Sequence, residues 1–312
     1  MSMHPKDDPK RRLNKQESKA QSSWLFVAFI VGMILGTLIT EKAMAAVDCS
    51  LDGTAGLTEA YGQTVVDSGS IGAGETLASM GESNTRQIFA QVQRSDINLV
   101  NSATGGCTIG NYARDNPSKC WDAMPKSAAV VWIKPINRSQ GVDPGAYVAT
   151  LEQDIVTALT QISTRITGVK EVWLSGHHAT PYAGPRPNGL PPKQEEPYSH
   201  DSILAIQSVV ANYQGSYPFR LVNAAYLWAP ASKPRADGLQ WTCDLFSDDG
   251  VHLSSTGNKL AAGLLSDYIS NALGAEPPPP PPSEFCPTPA WAERKGYTCS
   301  FDEGQQRCVC RP

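Results

Sequence analysis

Five short apolar runs mark the middle of the chain: Thr76–Met80, Ile97–Ala103, Ala128–Ile136, Glu171–Ser175 and Arg220–Leu227. Between and after them, apolar positions recur every three to four residues over about 84–93, 146–166, 200–213 and 256–273. A strand covered on both faces reads as a continuous apolar run, whereas a helix lying on a sheet keeps a single apolar stripe. The alternation predicts an α/β domain over residues 47–274. Its form is three layers, α/β/α, around a mostly five-stranded parallel sheet. Open sheets of this kind present ligands at the carboxyl ends of their strands, and candidate chemistry is sought there.

The two ends of the chain follow other patterns. Residues 1–23 are polar and basic, with Lys6, Lys10, Arg11, Arg12, Lys15 and Lys19, and Trp24–Thr40 is apolar or small throughout. Such a run sits at the short edge of a membrane span and a little above a usual signal-peptide core. The basic side is expected in the cytoplasm and the rest of the chain outside it, in a bacterial periplasm or at the cell surface. Ala43-Met44-Ala45 has the small-x-small form of a cleavage site, so a cleaved signal and a retained anchor both stay open. Beyond the domain, residues 275–283 are a Pro-rich spacer containing Pro277–Pro282, which reads as stiff polyproline. Residues 284–312 are a small Cys-rich tail, too short to build a core without cross-links.

Cysteine use fits export. The eight residues are Cys49, Cys107, Cys120, Cys243, Cys286, Cys299, Cys308 and Cys310, an even set whose last four crowd the tail. In an oxidising compartment they read as disulfides, and the tail spacing fits no common zinc pattern. Cys107 with Cys120 spans a short loop, and Cys49 with Cys243 then remains by elimination. A net charge of -4 argues against nucleic acid as a partner. The oligomeric state is not readable.

Chemistry-bearing residues collect where strands end. Ser83 follows the first run in Ser79-Met80-Gly81-Glu82-Ser83-Asn84-Thr85, at a strand-to-helix turn that exposes a hydroxyl beside a helix N-terminus. The second run ends in a Gly105-Gly106 pair, where backbone can approach a ligand and offer an N–H. The third ends in Asn137, an amide able to donate a further hydrogen bond. Ser247-Asp248-Asp249-Gly250-Val251-His252-Leu253-Ser254 then places Asp249 three residues before His252, just ahead of the last helix. Alone, each of these is ordinary capping or turn chemistry. Together a carboxylate can fix the tautomer of His252, and His252 can act as general base for a serine.

This order of serine, glycine, asparagine and Asp-x-x-His resembles the SGNH (GDSL-like) hydrolase superfamily over residues 75–273. Gly81-Glu82-Ser83-Asn84 resembles the Gly-x-Ser-Asn first block of sialate O-acetylesterase and acetylxylan esterase-like branches. Tyr226-Leu227-Trp228-Ala229 and the run from Arg235 to Trp241 resemble the segment before the last block in some bacterial members. The resemblance implies a flavodoxin-like sheet, with Ser83 as nucleophile, His252 as base and Asp249 as its partner. It implies an oxyanion hole from the Ser83 N–H, Gly106 or Gly105, and Asn137. The third block departs from it, since Pro135-Ile136-Asn137-Arg138 stands where Gly-x-Asn-Asp is usual.

Two other stretches compete. Val66-Asp67-Ser68-Gly69 has a Gly-Asp-Ser flavour but no helix after it. His177-His178 suggests a metal, yet neighbours on an extended segment point to opposite sides, so no metal is expected there. His177 and Tyr182 are candidates for the substrate cleft. The expected activity is removal of short acyl groups, foremost acetyl, from an extracellular carbohydrate, without a cofactor. A lipase or thioesterase of the same superfamily, or a non-catalytic carbohydrate-binding protein, is the alternative.

Overall fold

The computed structural model describes residues 52–57, 66–116, 119–138, 142–182, 196–274, 298–302 and 307–311. The basic N-terminus, Trp24–Thr40, Cys49, Cys286 and the spacer lie outside the described residues. Among the described residues, no helix is long and apolar enough to cross a membrane.

The five apolar runs are the five strands of one parallel sheet. They are β1 (Thr76–Met80), β2 (Asn98–Asn101), β3 (Val130–Ile133), β4 (Glu171–Leu174) and β5 (Arg220–Asn223), ordered β2-β1-β3-β4-β5. β1 is centred between β2 and β3, with Ser79 opposite Asn101 on one side and Trp132 on the other. The chain therefore winds outward from β1 in both directions, and a crevice opens where the winding reverses, at the carboxyl ends of β1 and β3.

Side-chain alternation sorts the core into two halves. Leu77, Val130, Trp132, Trp173 and Val222 face one layer, made of α1 (Ser83–Phe89) and α6 (Ser255–Ala272). Ala78, Met80, Val131, Ile133, Val172, Leu174 and Leu221 face the other. That layer holds α2 (Ile109–Arg114), α3 (Lys119–Asp122), α4 (Pro144–Arg165) and α5 (Tyr198–Tyr213). The three-layer expectation holds. The expected runs extend past the strands mostly at their carboxyl ends, where the chain is still buried but has left the ladder to carry the site.

α2 and α3 were not foreseen, since helices of 6 and 4 residues are too short to show periodicity. A disulfide stabilises them instead: Cys107 and Cys120 are bonded, with Cα atoms 5.8 Å apart. Cys243 is also in a disulfide. In the tail, β6 (Thr298–Asp302) and β7 (Arg307–Arg311) form a separate antiparallel pair that the composition did not suggest.

Between β5 and α6 the backbone is largely irregular, broken by a 3-10 turn at Cys243–Leu245, and polar side chains satisfy several of its buried carbonyls. Arg235 donates to the carbonyls of Tyr226 and Trp228 at 3.0 and 2.9 Å, and Trp241 Nε1 donates to Leu227 at 2.7 Å. This knit segment delivers the Asp249–His252 turn to the sheet edge.

Candidate active site

β1 is followed by Gly81, whose φ of 151° and close packing exclude a side chain, since a Cβ there would stand 2.4 Å from Thr85 Oγ1. The tight turn puts Glu82 at the N-cap of α1, accepting from the Asn84 N–H at 3.2 Å, and makes Ser83 the first helical residue. The Ser83 N–H thus has no intrahelical acceptor. Asn84 is buried, and its Nδ2 donates to the Val251 carbonyl at 3.2 Å, tying the serine turn to the histidine turn.

Ser83 Oγ lies 2.8 Å from His252 Nε2, and His252 Nδ1 lies 2.5 Å from Asp249 Oδ2. His252 Nδ1–H donates to Asp249, so a neutral His252 turns the lone pair of Nε2 toward the hydroxyl. Asp249 Oδ1 accepts from Ser247 Oγ and from the backbone N–H groups of Val251 and His252, at 2.7 to 3.0 Å. Partial burial raises the carboxyl, but the His252 ring and these donors outweigh it and hold Asp249 well below the carboxylate range.

The oxyanion side comes from β2 and β3. Ser79 Oγ accepts from the Ser102 and Ala103 N–H groups at 3.2 and 3.3 Å, fixing the loop that ends in Gly106. Gly106 has φ 79°, is exposed and lines the cavity at Ser83, and its N–H has no acceptor among the described residues. Gly105 does not line it. Asn137 accepts the Gly110 N–H at 2.9 Å and donates one N–H to Asp154 Oδ2 at 2.7 Å. An N–H on one end and a carboxylate on the other assign the amide orientation, leaving its second N–H for a ligand.

The cavity measures about 130 Å³ and is lined by Glu82, Ser83, Gly106, Thr108, Asn137, Arg138, Val251 and His252. His177 is not among the lining residues. It is fully buried behind Glu82, with Nε2 3.6 Å from Glu82 Oε1. Tyr182 is also absent from the lining and packs edge-on against Phe246. The rings of His177 and His178 do not diverge either; their centroids are 4.2 Å apart, because the chain has left β4 and is no longer extended in a sheet. Ser68 lies in an irregular segment strapped along β5, its carbonyl accepting from Arg220 at 2.7 Å.

Sequence reading missed Glu82, Lys134 and Asp154. Glu82 Oε2 accepts from Ser83 Oγ at 2.8 Å, and the fully buried Lys134 Nζ stands 4.0 Å from Glu82 Oε1. Burial pushes the Glu82 carboxyl up, but the Lys134 charge and the Ser83 hydroxyl oppose it and hold it below the carboxylate range. Burial takes His177 down to about 4, and its Nδ1 pairs with the His178 carbonyl at 2.9 Å. That bond needs Nδ1–H, so a neutral His177 turns a bare Nε2 to Glu82, and Lys134 is the countercharge. Burial lowers Lys134 to about 7 against the pull of Glu82.

Ser83 after β1, Gly106 after β2, Asn137 after β3 and the Asp249–His252 turn before α6 converge on one small cavity. This is the order in which the SGNH resemblance of the sequence lines up its blocks. No family model matches the chain and no curated protein matches it. Solved structures do. A protein described as lipolytic, of the G-D-S-L family from Desulfitobacterium hafniense, is 14% identical, with 62% of this chain and 99% of that one covered and a TM-score of 0.37. An acetylxylan esterase from Geobacillus stearothermophilus is 13% identical, with 66% and 97% covered and a TM-score of 0.36. A diltiazem-metabolizing enzyme of a gut microbe is 13% identical, with 67% and 48% covered and a TM-score of 0.42. Likenesses this distant say nothing about substrate. The convergence of Ser83, Gly106, Asn137 and the Asp249–His252 turn is read from the site geometry alone.

Proposed function

We propose that this chain is an exported, membrane-anchored serine esterase that removes acetyl groups from carbohydrate. The carrying observation is the unbroken hydrogen-bonded line Asp249–His252–Ser83 facing backbone N–H groups that have no acceptor among the described residues. His252 takes the Ser83 proton as Oγ attacks the ester carbonyl. The oxyanion is received by the Ser83 and Gly106 N–H groups and by the second N–H of Asn137. His252 then protonates the leaving alcohol, and a water activated by the same imidazole clears the acyl group. A cavity of about 130 Å³ suits an acetyl better than a long chain, being well below the roughly 300–1,000 Å³ of pockets for larger ligands. The Gly-x-Ser-Asn first block supports a carbohydrate ester, and Trp24–Thr40 behind a basic head supports export and anchoring.

Hydrolysis of p-nitrophenyl acetate by the full-length chain in mild detergent, beside Ser83→Ala and His252→Ala, tests this reading. Both variants should lose about a thousandfold or more in kcat with unchanged circular dichroism. A wild type inactive on acetyl through octanoyl esters would leave a binding protein with this fold. Activity surviving Ser83→Ala would mean a different nucleophile.

A further inference from the structure

Ser83 Oγ carries one hydrogen and has two acceptors at the same distance. His252 Nε2 lies 2.8 Å to one side and Glu82 Oε2 2.8 Å to the other. A general base alone explains the first. The second is a carboxylate pressed against the reacting oxygen, and it cannot easily withdraw. Its other oxygen caps the Asn84 N–H at 3.2 Å, next to Lys134 Nζ at 4.0 Å and His177 Nε2 at 3.6 Å, and only 6% of the residue is exposed.

Acylation changes what this contact means. In the free enzyme the serine hydroxyl donates to Glu82 or to His252. In the acyl-enzyme Oγ is an ester oxygen with no hydrogen, and the carboxylate then faces it lone pair to lone pair. Contact at this distance without a proton between the oxygens is repulsive.

We propose that Glu82 destabilises the acyl-enzyme and so speeds its hydrolysis, a role resting on the reading of Ser83 as the acylated residue. In the second half-reaction water loses a proton to His252 Nε2, and its oxygen bonds to the acyl carbon. The tetrahedral adduct collapses by breaking the carbon–Oγ bond. The bonding pair returns to Oγ, which takes the proton back from His252 and regains Glu82 as an acceptor. Glu82 itself neither gains nor loses a proton; it raises the starting state and stabilises the restored hydroxyl. The low titration point of Glu82 agrees with a carboxylate that stays charged throughout.

Stopped-flow hydrolysis of p-nitrophenyl acetate by the full-length chain and its Glu82→Gln variant separates the two half-reactions. Glutamine keeps the size and the cap to Asn84 and replaces the repulsion with an amide able to donate to the ester oxygen. The expected result is a burst of one p-nitrophenolate per active site, then steady turnover slower than wild type by about tenfold. kcat/KM, which reports acylation, should stay within about threefold. The quenched variant should carry one acetyl group on the Ser83 peptide by mass spectrometry. Parallel loss of kcat and kcat/KM without a burst, or no change at all, overturns the proposal. Should Glu82→Gln not fold, Glu82→Asp carries the test. It keeps the charge opposite Lys134 and draws it back from Oγ, and an unchanged kcat there overturns the proposal equally. A wild type without turnover would instead sink the esterase reading itself.

Discussion

Two carboxylates flank the Ser83–His252 pair, and they are kept charged by opposite means. Asp249 sits in an exposed turn, with its side chain 43% accessible, and lives on hydrogen bonds from its own neighbours within three residues. Glu82 is buried and depends on a fully buried lysine that comes from another strand. A surface carboxylate can be altered without threatening the core, since water takes over what the partners gave. A buried one is bound up with folding, because removing its countercharge leaves a charge with no solvent. Changes at Asp249 should therefore read out in rate and changes around Glu82 in stability as well.

The largest effect is expected at the exposed carboxylate. Asp249→Asn should cut kcat by about 10²–10⁴, the imidazole no longer being held in the right tautomer, with Tm nearly unchanged. A fall in Tm comparable to a core mutation would break the contrast. Next comes Lys134→Met, which strands Glu82 in the core. Chemical denaturation should show a loss on the order of 3–5 kcal/mol, and the double variant with Glu82→Gln should recover much of it.

The pH dependence of stability sharpens the same point. Glu82 titrates lower in the folded state than its ordinary value, about 2 against 4.5, so its stabilising contribution is fully present above pH 4.5 and lost as pH falls through 2. Part of the acid loss should be missing in Glu82→Gln. Denaturant midpoints at steps from pH 6 to 2 would measure it, and parallel curves for the two proteins would contradict it. The smallest effect belongs to Asp154, which positions rather than reacts. Asp154→Asn should lower kcat by about 10–100-fold with KM little changed, as expected for a group one bond removed from the oxyanion donors.

The strands were legible because a parallel sheet buried on both faces leaves its mark in every residue of the run, as Val130-Val131-Trp132-Ile133 does. Ser83 and the Asp249–His252 turn were legible because each sits in a short block whose spacing is local. Asp154 was not. It meets Asn137 across 17 residues, from the middle of a helix where an acid looks like one more solvated position. Arg138 in place of the usual acid was a visible departure, but nothing in the run showed that a carboxylate reaches Asn137 from α4. Lys134 reads as a strand-end charge, and only the partner strands show it sealed at 0% exposure. His177 was misread for the same reason. Its surroundings are set by β1 and β3, and its own neighbours in sequence carry no trace of them.

The hydrogen bond between Ser83 and His252 joins residues 169 positions apart, one at the first strand of the domain and the other just before its last helix. Nothing short of the nearly complete domain holds both halves of the reactive pair. During synthesis the serine leaves the ribosome long before its base, so the nascent chain is chemically silent for most of its production. A chain truncated anywhere between the two is silent for good. The completed Ser83–His252 pair thus arrives in a single late step, together with the packing of α6 that marks a finished fold.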